Sequence, residues 1–189
     1  MFKFQHWTMT LVLAWAMAIG VTMAPAPAQA ASAAAIDTEV DAALANLYRQ
    51  VPAAKSLSEK AKAILVFPAI VKGGLIVGGQ FGEGALRKGR KSTAYYSIAA
   101  ASYGLQAGVQ RFGYVLFFMT DSALQYLDKS NGWEVGVGPS VVLLDEGLAK
   151  SVTTTTAQDH IYAFVFGQEG LMAGLGVQGS KITRIEPGR

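Results

Sequence analysis

Residues 64–86, ILVFPAIVKGGLIVGGQFGEGAL, restrict what this chain can fold into more than any other stretch. The segment opens on the apolar run Ile64-Leu65-Val66-Phe67 and reaches Pro68, which lacks an N–H and suits a strand end. Beyond Lys72 the character changes. Gly74, Gly78, Gly82 and Gly84 share one parity, and Leu75, Val77 and Phe81 share the other. Side chains of a strand alternate between its faces, so one face is apolar and the other almost bare backbone. That much glycine marks tight bends or something packed closely on the backbone.

The pattern recurs. Residues 104–110 repeat residues 74–80 as G-L-x-x-G-x-Q, and residues 170–174 repeat the first five positions. WEVGVG, from Trp133, keeps the alternation without the leucine. The expectation is one strongly curved, glycine-rich, barrel-like antiparallel sheet with its apolar side chains inside. Either the copies share an origin or they are independent glycine-rich strands; both give sheet.

Helices account for less of the chain. Ile36, Val40, Leu44, Leu47 and Val51 fall at helical spacing, with Asp37, Glu39 and Asp41 on other faces, which predicts a helix over 36–51 ended by Pro52. Helices that lie on membranes carry Lys and Arg on the polar face, so this acidic one is expected to pack internally. Ser56-Leu57-Ser58-Glu59 is a capping-box pattern for a short helix ending near Lys62. Thr120 can cap a third over 119–128, with Ala123, Leu124 and Leu127 along one side. Strands are expected over 92–98, from Trp133, over 152–156 and 161–166, and within 171–185. The fold class is α+β: the curved sheet, an N-terminal amphipathic helix and one or two further short helices.

Residues 1–30 read as a signal peptide. Lys3 precedes an apolar run over 8–21, and Ala28-Gln29-Ala30 supplies a small-x-small cleavage site. The run is shorter than a membrane-spanning helix requires. Cleavage after Ala30 would leave no transmembrane helix and export the protein to the periplasm or medium, free or peripheral at the membrane. Residues 31–35 then read as a linker and 36–189 as a single domain. The absence of cysteine excludes disulfides, thiolate metal sites and a lipoprotein cysteine. The net charge of +3, or +2 without Lys3, is too small an excess for a nucleic-acid binder.

No catalytic set assembles from the motifs. GLGVQG over 174–179 matches a dinucleotide fingerprint by letter, but the chain ends ten residues later, before the required unit could form. There is no phosphate-cradling P-loop. His160, the single histidine after residue 30, has no metal-ligand spacing and is expected in a turn. Ser102, Ser140 and Ser151 lie outside any nucleophile elbow. Glu83, flanked by Gly82 and Gly84, would pair with Arg87 or Lys88 or act as a general acid. The expectation is therefore a non-enzyme without cofactor or metal. Arg87, Lys88, Arg90 and Lys91 place four cations in five residues, with Lys72 expected near them across a hairpin. Such a group attracts anionic membrane; equally, it is a solvated turn guarded by charge against edge pairing. Lys55, Lys60 and Lys62 form a looser second group.

Several segments together resemble the SYLF domain, which is also labelled Ysc84-like or actin-binding. They are VFPAIVKGG and GGQFGEGAL within 63–86, Tyr95-Tyr96, SYGLQAGVQ over 102–110, FMTDSAL over 118–124, GWEVGVGPSV from Gly132 and EGLMAGLGVQGSKI from Glu169. The resemblance spans about residues 40–186. It implies a lipid-binding module, directed at phosphoinositides and coupled to actin in eukaryotic members and exported in bacterial ones. An exported bacterial member would not meet actin. The ligand expected is anionic phospholipid or a membrane surface, held by Lys72, Arg87, Lys88, Arg90 and Lys91. The alternative is a structural or interaction protein whose glycine face receives a partner or an acyl chain.

Overall fold

A computed structural model describes residues 31–74, 77–103, 108–130, 132–144, 159–170, 177 and 179–188, all within the unit Ala31–Arg189. Its elements are α1 (Ala33–Gln50), α2 (Pro52–Ser58), β1 (Ala63–Gly74), β2 (Val77–Lys88), β3 (Lys91–Tyr103), β4 (Gly108–Phe118), α3 (Asp121–Lys129), β5 (Trp133–Glu134), β6 (Val141–Leu144), β7 (Ile161–Gly170) and β8 (Lys181–Ile185). The eight strands make one strongly curled, half-barrel sheet in the order β5-β8-β3-β2-β1-β4-β7-β6. Pairing is antiparallel except between β6 and β7, which run parallel and make the sheet mixed.

Each face of the sheet carries its own core. On one, Leu65, Phe67, Ile70, Tyr96, Phe112, Tyr114 and Leu116 pack under Trp133 and under Ala123, Leu124 and Leu127 of α3. The Trp133 ring meets Phe118 edge-on at 6.1 Å and its Nε1–H donates to Val137 O at 2.8 Å. On the other, Ile64, Val66, Ala85, Val115, Phe117 and Phe164 pack under Ile36, Val40 and Leu47 of α1. Each such side chain, fully buried, contributes about 1.5–3 kcal/mol. Helix α1 starts at Ala33, where Ser32 Oγ accepts from Ala35 N–H at 3.3 Å, so the expected linker over 31–35 is instead cap and first turn. Pro52 opens α2 at its first turn, where its missing N–H costs nothing, so the second helix starts earlier than the Ser56 pattern suggests. Thr120 does cap α3, accepting from Ala123 N–H at 3.3 Å. No helix among the described residues is long and apolar enough to cross a membrane.

Pro68 lies inside β1 rather than ending it. The register of β1 shifts between Val66 and Ala69 against β2, and between Phe67 and Ile70 against β4. A bulge of this kind tolerates the missing donor. It also explains the neighbouring glycines. A Cβ on Gly84 would strike the Val66 carbonyl and the Phe67 ring, and one on Gly82 would lie 2.7 Å from Ala69 O and 3.0 Å from Ile70 Cγ1. At these two positions the bare face of β2 is filled from within the fold.

The far end of the hairpin inverts the expected polarity. Lys72, Gln80 and Gln110 are register partners across β4, β1 and β2, and all three are buried. Gln80 Nε2 donates to the buried Ser180 Oγ at 2.7 Å. Val77 and Phe81, expected inside, are more than half exposed on the opposite face, and Val71 and Val109 are at least half exposed with them. Alternation fixed which residues share a face, but not which face the remaining elements would cover.

Tyr96 ties the sheet to α3 through its hydroxyl, 3.4 Å from Asp128 Oδ1. Burial, with the Asp128 carboxylate beside it, pushes this phenol up from 10.0 to about 12, against an opposing pull from Arg184. A raised acid is protonated in the folded state where the unfolded chain has already ionised. Its contribution is therefore complete below pH 10 and lost as pH rises towards about 12. In alkaline urea titrations, stability should fall across that window, and Tyr96→Phe should flatten the fall.

Candidate functional site

The four cations of 87–91 sit where β2 turns into β3. The strands are joined by the two residues Gly89 and Arg90, and Gly89 has φ +61° in the first central position, as a type II′ hairpin turn requires. The turn presents its cations unequally. Lys88, Arg90 and Lys91 are exposed, whereas Arg87 is 6% exposed. Lys88 and Lys91 face each other in register. Like charges directly opposite destabilise a strand pair. Among the described residues neither these lysines nor Arg90 meets a carboxylate, since the ion pairs there are Arg87–Asp41 and Lys62–Asp121.

Arg87 belongs to the scaffold instead. Its guanidinium donates to Asp41 Oδ1 at 2.6 Å, to Asp37 O at 3.2 Å and to Arg90 O at 2.8 Å, pinning β2 to α1 and closing the turn. Asp37 also accepts from Ser92 Oγ at 2.6 Å and from the Tyr95 hydroxyl at 3.2 Å. Burial, followed by the charge of Asp37, raises the Tyr95 phenol. Two of the acids on α1 are thus spent on the hairpin. Arg87→Ala strips two carbonyls and a carboxylate of their donor, and should cost about 2–3 kcal/mol in urea unfolding. Lys88→Ala, at an exposed position, should stay within about 0.5 kcal/mol.

Lys72 does not join the group. The hairpin places Ile64 opposite Arg87, and Lys72 lies eight residues further along β1, opposite Gln80. At about 3.3 Å per residue that is roughly 26 Å away, at the other end of the sheet. The strands do pair as a hairpin, but their antiparallel course carries Lys72 away from the turn and burial takes it out of solvent. The set read from sequence therefore reduces to Lys88, Arg90 and Lys91.

Beside the turn runs a groove of about 600 Å³ between α1, the end of α2 and the start of β1. Leu44, Ala45, Tyr48, Ala61 and Ile64 give it an apolar lining, and Arg87 and Arg90 line it from the turn. Burial pushes the Tyr48 phenol up, offset in part by its hydrogen bond with Ser58. Sequence reading missed this groove because its walls come from four separate segments. Of the second lysine group, Lys62 is in an exposed ion pair with Asp121 at 3.6 Å.

Glu83 meets neither Arg87 nor Lys88; its Oε2 accepts from Ala31 N–H at 3.2 Å. The structure also gathers Ser140, His160 and Asp159, which their sequence spacing did not suggest. Ser140 Oγ lies 3.1 Å from His160 Nδ1 and 3.4 Å from Asp159 Oδ1, and both Ser140 and His160 are exposed. The carboxylate bonds to the serine rather than to the imidazole, so it does not orient the histidine as a nucleophile relay needs. Ser140 also accepts Ile161 N–H through its carbonyl at 3.2 Å, a bond that helps hold β6 against β7. No cluster of three metal-ligating side chains occurs among the described residues. The expected strand over 152–156 and residues 104–107 and 171–174 of the glycine repeats lie outside the described residues, whereas the WEVGVG copy is strand only over Trp133–Glu134 and turns at Gly136 and Gly138.

A comparison with curated proteins returned no match. A scan of family models matched residues 99–186 to Ysc84, described as Las17-binding protein actin regulator. That span is shorter than the 40–186 of the motif resemblance, and it leaves the cationic turn outside. It runs from within β3 past the end of β8, and over these residues the chain matches the Ysc84 (SYLF) family model.

Proposed function

We propose that this is a non-enzymatic protein of a bacterial cell envelope that binds anionic phospholipid through Lys88, Arg90 and Lys91. The observation that carries the reading is the turn itself. Three exposed cations with no carboxylate partner among the described residues occupy four consecutive positions, and two of them oppose each other at a cost to the sheet. An arrangement that costs stability in the free protein gains it back when phosphate groups lie across the turn. The adjacent groove has the apolar lining and the volume to take part of an acyl chain. The signal-type segment over 1–30 supports export, and the SYLF resemblance supports lipid as the ligand class. The family description names an actin regulator, a partner that an exported protein does not meet.

Each cation near an anionic surface contributes about 1 kcal/mol, so three contribute about 3 kcal/mol, roughly a hundredfold in partition. The purified protein should co-sediment with vesicles containing phosphatidylglycerol far more than with phosphatidylcholine alone. Raising salt from about 0.1 M to 1 M shortens the screening length from about 10 Å to 3 Å and should release it. Equal sedimentation with both vesicles would sink the reading.

A further inference from the structure

We infer that Ala31 is the mature N-terminus and that Glu83 is the built-in acceptor for the α-ammonium group that processing creates there. Two independent observations meet at one atom. The small-x-small motif Ala28-Gln29-Ala30 places the scissile bond between Ala30 and Ala31. The nitrogen of that bond lies 3.2 Å from the Glu83 carboxylate, which comes from a strand 52 residues away in sequence.

The surroundings suit a terminus. Glu83 is half-buried, with Ala69 of β1 and Ser97 of β3 as its register neighbours and glycine on either side in sequence. Small neighbours leave room above the carboxylate, and among the described residues no side-chain cation pairs with it. Ala31 is held from its other side as well. Its carbonyl accepts Gly188 N–H at 3.0 Å, Ser32 bridges Gly188, and Ser32 Oγ caps α1.

A signal endopeptidase would add water across the Ala30–Ala31 bond. The hydroxyl goes to the Ala30 carbonyl carbon and a proton to the Ala31 nitrogen, giving a carboxylic acid and an amine; the acid's proton then passes to the amine, leaving carboxylate and ammonium. With an ordinary pKa of about 7.7–8.0 the amine is mostly ammonium at pH 7. The amide already donates to a charged carboxylate; once the donor is an ammonium it carries the opposite charge, and the contact becomes an ion pair as well as a hydrogen bond. The positive terminus then fixes the start of α1 on the sheet.

The test uses the full chain, expressed with its leader in an exporting bacterium and purified from that host. Intact mass should correspond to a product starting at Ala31; a start elsewhere overturns the inference. Glu83→Gln keeps an acceptor oxygen but removes the charge. In the processed protein it should lower the folding equilibrium constant about tenfold, the scale of a hydrogen bond to a charged group. A second version carries Gly-Ser inserted between residues 30 and 31, so that Ala31 keeps an amide after processing. The insertion alone should bring a similar loss, and there Glu83→Gln should cost less than about threefold. An equal loss from Glu83→Gln in both backgrounds would make Glu83 an ordinary acceptor for a backbone amide and overturn the inference.

Discussion

Gly84→Ala should destabilise the protein severely. One methyl group at this position would meet the Val66 carbonyl and the Phe67 ring of the neighbouring strand, and the carbonyl belongs to backbone held by pairing on both sides. Overpacking of a core costs about 1–3 kcal/mol where side chains can yield. Here the obstacle is backbone, so the expected loss is at or above about 3 kcal/mol, from a total of only about 5–15 kcal/mol. Gly89→Ala makes the control. Its Cβ would meet nothing within 4 Å, so only the strain of φ +61° is added, about 1–2 kcal/mol. Urea midpoints compare the two directly. A Gly84→Ala protein as stable as wild type would mean that the bulge at Pro68 does not press on β2.

The same bulge shows how far the sequence could be read. Glycines of one parity beside an apolar run did indicate a curved sheet with close backbone approach, and β1 and β2 deliver it. The proline inside the run could be read locally only as a stop, because a bulge is defined by the two strands flanking it. Face polarity was legible in part. At the α1 end of the sheet, apolar residues are buried on both faces, whereas beyond Ile70 the polar Lys72, Gln80 and Gln110 turn in and Val71, Phe81 and Val109 turn out. Period-two alternation is symmetric between faces, so only the placement of α1 decides which half stays uncovered. The cap at Thr120 and the buried side of α3 were legible because both are local.

The site divides along the same line. That 87–91 is a basic turn between strands follows from composition and turn chemistry. That Arg87 turns under α1 while Lys88, Arg90 and Lys91 face out depends on Asp37 and Asp41, some fifty residues earlier. In the sequence the acids of α1 stand only as residues off its apolar face. In the fold Asp41 pairs with Arg87 and Asp37 accepts from Ser92 and Tyr95, so both carboxylates are engaged by the hairpin.

Charge reversal at the turn is the second large effect expected. Lys88→Glu, Arg90→Glu and Lys91→Glu together replace three attractive charges with three repulsive ones, while Arg87 keeps its bonds to α1. At about 1 kcal/mol per charge lost and a similar amount per charge opposed, affinity for anionic vesicles should fall by more than about a thousandfold. Stability should change by no more than about 0.5 kcal/mol for each exposed substitution. The decisive measurement is a vesicle titration with phosphatidylglycerol, run on the wild type and the triple variant, with urea unfolding in parallel. The account predicts that the triple variant folds and no longer binds. A folded triple variant that binds as the wild type does would contradict it and move the contact away from the turn.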